Sequence, residues 1–180
     1  GFESFSLGKL IDFIGGSQPA KSNFLYEDGP GRVRFVQIRD FRTHDYETYV
    51  PEHLAKRPFQ EDDVLIGRYG PPVFQIFRGL TGTYNVALMK AQPREGVTKD
   101  FVFYLLQEHK LHSYVVANSE RTAGQSGVNL RLLEGYPAYK PPVDRQLEFS
   151  QRIREMDKLA KEAERQRRST DNLFSSLQHR

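Results

Sequence analysis

The chain has no cysteine and no tryptophan. Without cysteine there are no disulfides, no thiolate nucleophiles and no cysteine metal sites. That fits a reducing, cytoplasmic compartment. No apolar run approaches the roughly 20 residues that a membrane-spanning helix needs, and no signal-peptide pattern is visible, so no membrane partner is expected. The chain opens on Gly1 rather than Met, as a piece trimmed from a longer protein would. Neither sign of charge dominates: 26 Lys and Arg face 23 Asp and Glu, for a net charge of +3. This mild excess permits contact with phosphates, through counterion release, but does not require it. What is present is 180 residues with 38% hydrophobic and 12% aromatic side chains, enough for one globular domain and an appendage.

Two regions differ in character. Residues 1–142 mix helical and strand patterns, and residues 143–180 read as one long helix. Pro141-Pro142 marks the boundary, because proline lacks a backbone donor and sits naturally ahead of a helix. Leu7, Leu10, Ile11 and Ile14 follow helical spacing, and Gly15-Gly16-Ser17-Gln18-Pro19 ends that pattern in a loop. Arg32–Asp40 alternates as a strand, and Val64–Gly67 is a short buried one. Val73–Phe77 and Tyr84–Met89 read as two strands of a hairpin with a longer loop. Thr98 is a predicted N-cap, with Asp100 in the first turn and Phe101, Tyr104, Leu105 and Leu111 on the apolar face. A polar stretch with glycines, Arg121–Gly127, precedes Val128–Leu133. The expected fold class is α+β: a mixed or antiparallel twisted sheet with flanking helices, then one long C-terminal helix.

That helix carries a heptad pattern. Phe149, Ile153, Met156, Ala160 and Ala163 step by four and three, and Phe174 and Leu177 resume after Arg167 and Thr170 interrupt. Such steps place side chains on one stripe, the seam of a coiled coil. Packing on its own domain is the plainer reading. Pairing with another helix is favoured, because so long a helix has little domain left to cover it. The basic run Arg165-Gln166-Arg167-Arg168, beside Glu162 and Glu164, reads as a solvated face.

No catalytic or metal-binding residue is assigned, and no cofactor is expected. Adenine methylation needs an Asn- or Asp-Pro-Pro-aromatic motif; Gly70-Pro71-Pro72-Val73 lacks both the amide and the aromatic ring. There is no G-x-G-x-x-G loop. Asp100 with Glu108-His109-Lys110 mimics a nuclease set, but on a stretch that reads as helix rather than on paired strands. His109 and His112 lack the carboxylate support of a metal site.

Four stretches, in order, resemble the specificity (S) subunits of type I restriction-modification systems. They are Leu7–Pro19, Val33–Asp40, Asp62–Gly70, and Gly124–Leu130 continued through Pro141-Pro142 to Gln146. The last is the most specific, with a glycine-serine loop, a short helix, a strand, two prolines and a glutamine. The resemblance implies a non-catalytic component that reads double-stranded DNA. It further implies a DNA methyltransferase subunit and a restriction subunit as partners. Such subunits carry two recognition domains separated by long helices; here there is one domain, 1–142, and one arm, 143–180. The missing half implies a second recognition half or a homodimer through the C-terminal helix. A recognition domain cut from a fused restriction-methylation enzyme, a helical protein-interaction module and a minimal nuclease are the competing readings. An arm of roughly 35 residues is about 50 Å long, on the order of one and a half DNA turns.

Phosphates are held by Arg, Lys and polar groups, and bases are read by groups such as Arg, Gln and Asn. Candidates in loops or at strand ends are Gln18 and Lys21, Arg39 and Arg42, Arg68 and Tyr69, Gln75 and Arg78, and Arg121, Gln125 and Ser126. Arg68 and Arg78 are preferred, because both lie beside turns.

Overall fold

The structure is a computed structural model that describes the backbone over residues 3–122 and 125–178, and the side chains in those ranges except 120–122, 125–126 and 172–178. The chain divides into two compact units, Gly1–Pro141 and Pro142–Arg180. The first unit is α+β.

The segment read as an opening helix is shared between two elements. After a short strand β1 (Ser4–Ser6), α1 covers only Leu7–Leu10, and β2 (Ile11–Gly15) follows directly. Leu7, Leu10 and Ile11 are buried, which accounts for the helical spacing. From Ile11 onward the two-residue alternation of a strand takes over: Ile11 and Phe13 face the core while Asp12 faces out to Arg94. The next strand, β3 (Arg32–Val36), stops short of Asp40, because a 3-10 turn occupies Ile38–Phe41. Strands β4 (Tyr49–Pro51), β5 (Pro58–Phe59) and β6 (Leu65–Gly67) follow.

The expected hairpin does not form. Strands β7 (Ile76–Phe77) and β8 (Gly82–Tyr84) belong to different sheets, and β9 (Leu88–Pro93) carries the remainder of the apolar run. Among the described residues, one sheet runs β2-β9-β6-β7, antiparallel throughout, and another runs β4-β3-β8-β5 with a parallel β3–β8 pair. The turn residues after β7 send the chain across to a neighbouring sheet instead of back along its own.

Strand alternation builds two cores from one sheet. Val64, Ile66, Met89 and Ala91 join the larger core, whereas Leu65 and Leu88 join the smaller one with Val36, Phe59 and Tyr84. A one-residue slip of β6 would exchange these faces, so its register is strongly specified. On the larger core lie α2 (Lys99–Leu106), α3 (His109–Ala117) and α4 (Leu130–Gly135). Thr98 caps α2 as expected, its Oγ1 accepting from the Phe101 amide at 3.2 Å. The buried residues of α2 and α3 are Val102, Leu106, Leu111 and Val115; Phe101, Tyr104 and Leu105 are only half-buried, so the predicted apolar face is rotated. Glu108 caps α3 through the Leu111 amide. The stretch read as a loop contributes β10 (Glu120–Thr122) and β11 (Gln125–Gly127), which pair antiparallel. Strand β12 (Pro137–Tyr139) pairs with β1 and closes the unit.

The second unit is the helix α5 (Val143–Gln178). The Pro142 carbonyl accepts from the Arg145 and Gln146 amides. Phe149 and Met156 are 40% and 64% exposed, Ile153 is half-buried, and Ala160 and Ala163 are exposed. Leu159, 65% exposed, borders the same stripe. The side chains of Phe174 and Leu177 lie outside the described residues. No described helix is long and apolar enough to cross a membrane.

Candidate nucleic-acid interface

The turn between β6 and β7 is the centre of the candidate surface. It runs from Arg68 to Gln75 and is tightly shaped. Phe74 has φ 60, in the left-handed region, and its ring is buried at 1% exposure. A bulky residue adopts this backbone only where its surroundings hold it there. Here the Phe74 amide donates to the Gly67 carbonyl, and the Gly67 amide donates to that of Gln75. The ends of the turn are therefore pinned to each other, while Pro71 and Pro72 at its tip are exposed and Tyr69 is 37% exposed.

Four candidates meet at this turn. Arg42, just past the 3-10 turn, donates through Nη2 to Gln75 Oε1 at 2.6 Å, and Gln75 Nε2 donates to the Pro72 carbonyl at 2.9 Å. Arg68 lies beside Gly15, at the end of β2, and its guanidinium stands over the Tyr69 ring at 5.2 Å. The Tyr69 backbone forms a bridge to Gly127, and its ring lies so close over Gly127 that a Cβ there would sit 3.1 Å from it. The turn thus holds the end of β11, the strand that carries Gln125 and Ser126. The side chains of Arg121, Gln125 and Ser126 lie outside the described residues.

The 3-10 turn is itself held from within. Gln37 and Asp40 cap each other, and the Gln37 amide donates to Asp40 Oδ2 at 2.6 Å. Burial pushes the Asp40 carboxyl above its ordinary range, against the pull of that amide and of Arg34 and Arg39. Asp40 ends the second stretch of the resemblance, and it braces the turn that carries Arg39 and leads into Arg42.

Arg39 faces a different feature. It stands 5.7 Å over the Tyr46 ring in a groove lined by Tyr26, Asp28, His44, Asp45, Glu47 and Tyr49. Tyr26 and Tyr46 are 75% and 64% exposed. Tyr49 donates to Glu47 at 2.7 Å, which pushes the Tyr49 hydroxyl up to about 12 and, with Arg34 and His44, holds Glu47 below its ordinary range. None of these groove residues except Arg39 stands out in the sequence as a candidate. The available signal is the run His44–Tyr49, where tyrosines interleave with charges.

Arg78 is placed elsewhere. It donates to Asp100 Oδ1 at 2.9 Å and lies 3.9 Å from the Phe103 ring centroid, joining the end of β7 to α2. Gln18 is exposed and bonds the adjacent Pro19 carbonyl; Lys21 is exposed in a 3-10 turn, Lys21–Asn23. The loop that carries them is anchored at Gly16, whose position leaves no room for a side chain: a Cβ would stand 1.9 Å from the Asn85 carbonyl oxygen. Asp100 and Glu108 each have a structural partner, in Arg78 and the α3 N-terminus. Among the described residues no group of three His, Cys, Asp or Glu is arranged to hold a metal ion.

An exposed turn with arginine, tyrosine and glutamine on a rigid sheet edge can form hydrogen bonds to phosphates and to base edges. This arrangement sits in a two-sheet α+β unit followed by one long helix. No protein-family model matches the chain, and no curated protein matches its sequence. Solved structures do match. One is a chain from a type I restriction-modification system described for its assembly and conformational transition, with a TM-score of 0.72 at 19% identity, covering 98% of this chain and 43% of that one. A second is the HsdS subunit from Thermoanaerobacter tengcongensis, with a TM-score of 0.65 at 20% identity over 88% of this chain and 38% of that one. A third is the type I S subunit from M. genitalium, with a TM-score of 0.62 at 10% identity over 88% and 39%. The chain has the fold of type I specificity subunits. It spans about two fifths of the length of these structures.

Proposed function

We propose that the chain is the specificity component, or half of one, of a type I restriction-modification complex. In this reading, residues 1–142 read one half of a bipartite site in double-stranded DNA. Residues 143–180 form a spacer arm that pairs with a second recognition half or a second copy of the chain. A methyltransferase subunit and a restriction subunit act where this component places them, and the chain itself carries no catalysis.

One observation carries the reading: the likeness to a type I system chain extends over 98% of this chain, so that unit and arm are both included. The convergence of Arg42, Arg68, Tyr69 and Gln75 on one projecting turn supports it, because DNA recognition needs donors and acceptors on a rigid support. The exposed Phe149, Met156 and Leu159 support a helix partner.

The test is selection from a randomised duplex pool by the chain together with its methyltransferase partner. A defined sequence motif is expected to be enriched. Salt-sensitive binding with no enriched sequence contradicts the reading.

A further inference from the structure

Resting on that reading, we propose that one face of α5 is a second, sequence-independent DNA contact that grips backbone phosphates outside the recognised bases. Positions three and four apart on a helix share a face. Arg154, Lys158, Lys161, Arg165 and Arg168 follow such steps. At 3.6 residues per turn they fall within about 80° of arc, on a strip roughly 21 Å long. All five are exposed, and four of them share one shallow stretch of surface with Asp157 and Glu162. The apolar stripe through Ile153, Met156 and Ala160 is centred about 140° away by the same geometry. A partner helix seated on that stripe leaves the basic strip uncovered.

Ion pairing distinguishes the middle of this strip, Lys158, Lys161 and Arg165, from Arg145 and Arg152 nearer the start of α5. Arg145 and Arg152 are both spent on Glu148, at 2.9 and 2.6 Å. Arg168 pairs with Glu164 at 2.6 Å. Lys158, Lys161 and Arg165 form no ion pair among the described residues, although Asp157 and Glu162 lie nearby. The strip contains no aromatic or aliphatic anchor between Arg154 and Arg168. Protein interfaces concentrate such anchors and exclude charge from their centres, whereas phosphate contacts are made by rows of Lys and Arg. Duplex DNA offers a phosphate about every 3.4 Å along each strand, so cations spaced by one helical turn meet a continuous row of partners.

The experiment measures binding of the full chain to a duplex as a function of salt. Three proteins are compared: wild type, the triple variant Lys158→Gln/Lys161→Gln/Arg165→Gln, and the control Arg145→Gln/Arg152→Gln. Circular dichroism confirms equal helix content. In the triple variant the slope of log affinity against log salt is expected to become shallower by about 2 to 3, at roughly 0.9 per phosphate contact. Affinity should fall equally on selected and scrambled duplexes, with sequence preference retained and the control unchanged. An unchanged slope in the triple variant, or an equal change in the control, overturns the proposal. Wild-type binding without sequence preference contradicts the recognition reading but not the strip. Wild type that binds no duplex at low salt contradicts both.

Discussion

Arg42, Arg68 and Arg78 all lie beside turns, and their surroundings divide them. Arg78 is stacked on Phe103 and paired with Asp100, so its charge is used inside the fold. Arg42 and Arg68 are held at the rim of the projecting turn by Gln75 and Tyr69. Arg42→Ala and Arg68→Ala are each expected to weaken binding to the selected duplex by about 1–3 kcal/mol if they contact bases, with melting temperature little changed. Arg78→Ala is expected to do the reverse. It loses a half-exposed ion pair and a cation–π contact, for about 1–2 kcal/mol of stability, and leaves DNA affinity intact. Parallel denaturation and DNA titrations of the three variants check this. The sequence shows that these arginines adjoin turns. It does not show that Arg78 meets Asp100, because that meeting depends on α2 packing beside β7, a contact between residues 22 positions apart. Gly16 is legible as a turn residue but not as the point of closest approach to Asn85. Gly16→Ala is expected to cost several kcal/mol of the kind seen when a core site is overpacked, measured by urea denaturation.

At the scale of elements, legibility follows the range of the interactions that form each one. Thr98 announces α2 because a cap is local. The heptads announce α5 because their spacing is local as well. The opening helix is misread because Leu7, Leu10 and Ile11 satisfy helical spacing, while β2 gains its hydrogen bonds from β9, far along the chain. The hairpin is misread for the same reason: β7 and β8 find their partners in β6 and in β3 and β5. An ion cluster fastens the turn before β6 to α2. Lys99 bonds Asp62 at 2.8 Å and Asp63 at 2.7 Å, and Lys90 stands 3.7 Å from Asp63. Burial acts to push Asp63 up, but Lys99, the Gln60 amide and Lys90 outweigh it and hold the carboxyl below its ordinary value. A carboxyl whose folded pKa is depressed contributes stability above its unfolded pKa of about 3.9, and loses it as pH falls through the folded value. The acid limb of melting temperature against pH is therefore expected to flatten in Asp63→Asn, with lower stability at neutral pH. An unchanged limb assigns acid sensitivity to other groups. For α5, Ile153→Glu/Met156→Glu is expected to abolish self-association or pairing in sedimentation, while the secondary structure of the first unit persists.

For the molecule as a whole, composition said little and order said more. A charge of +3 fits many functions. The succession of glycine turns, short strand, paired prolines and long helix resembles type I specificity subunits, and the fold has that architecture. Under the proposed function, the side chains of the exposed turns rather than the shared fold decide which bases are read. The central claim is that the first unit chooses a DNA half-site. It is tested most directly by replacing one recognition domain of a two-domain type I specificity subunit with residues 1–142 and mapping methylation by the assembled hybrid. One half of the methylated site is expected to change to a new defined sequence while the other half stays as it was. Methylation at the original two-part site, or methylation with only the retained half defined, contradicts the claim.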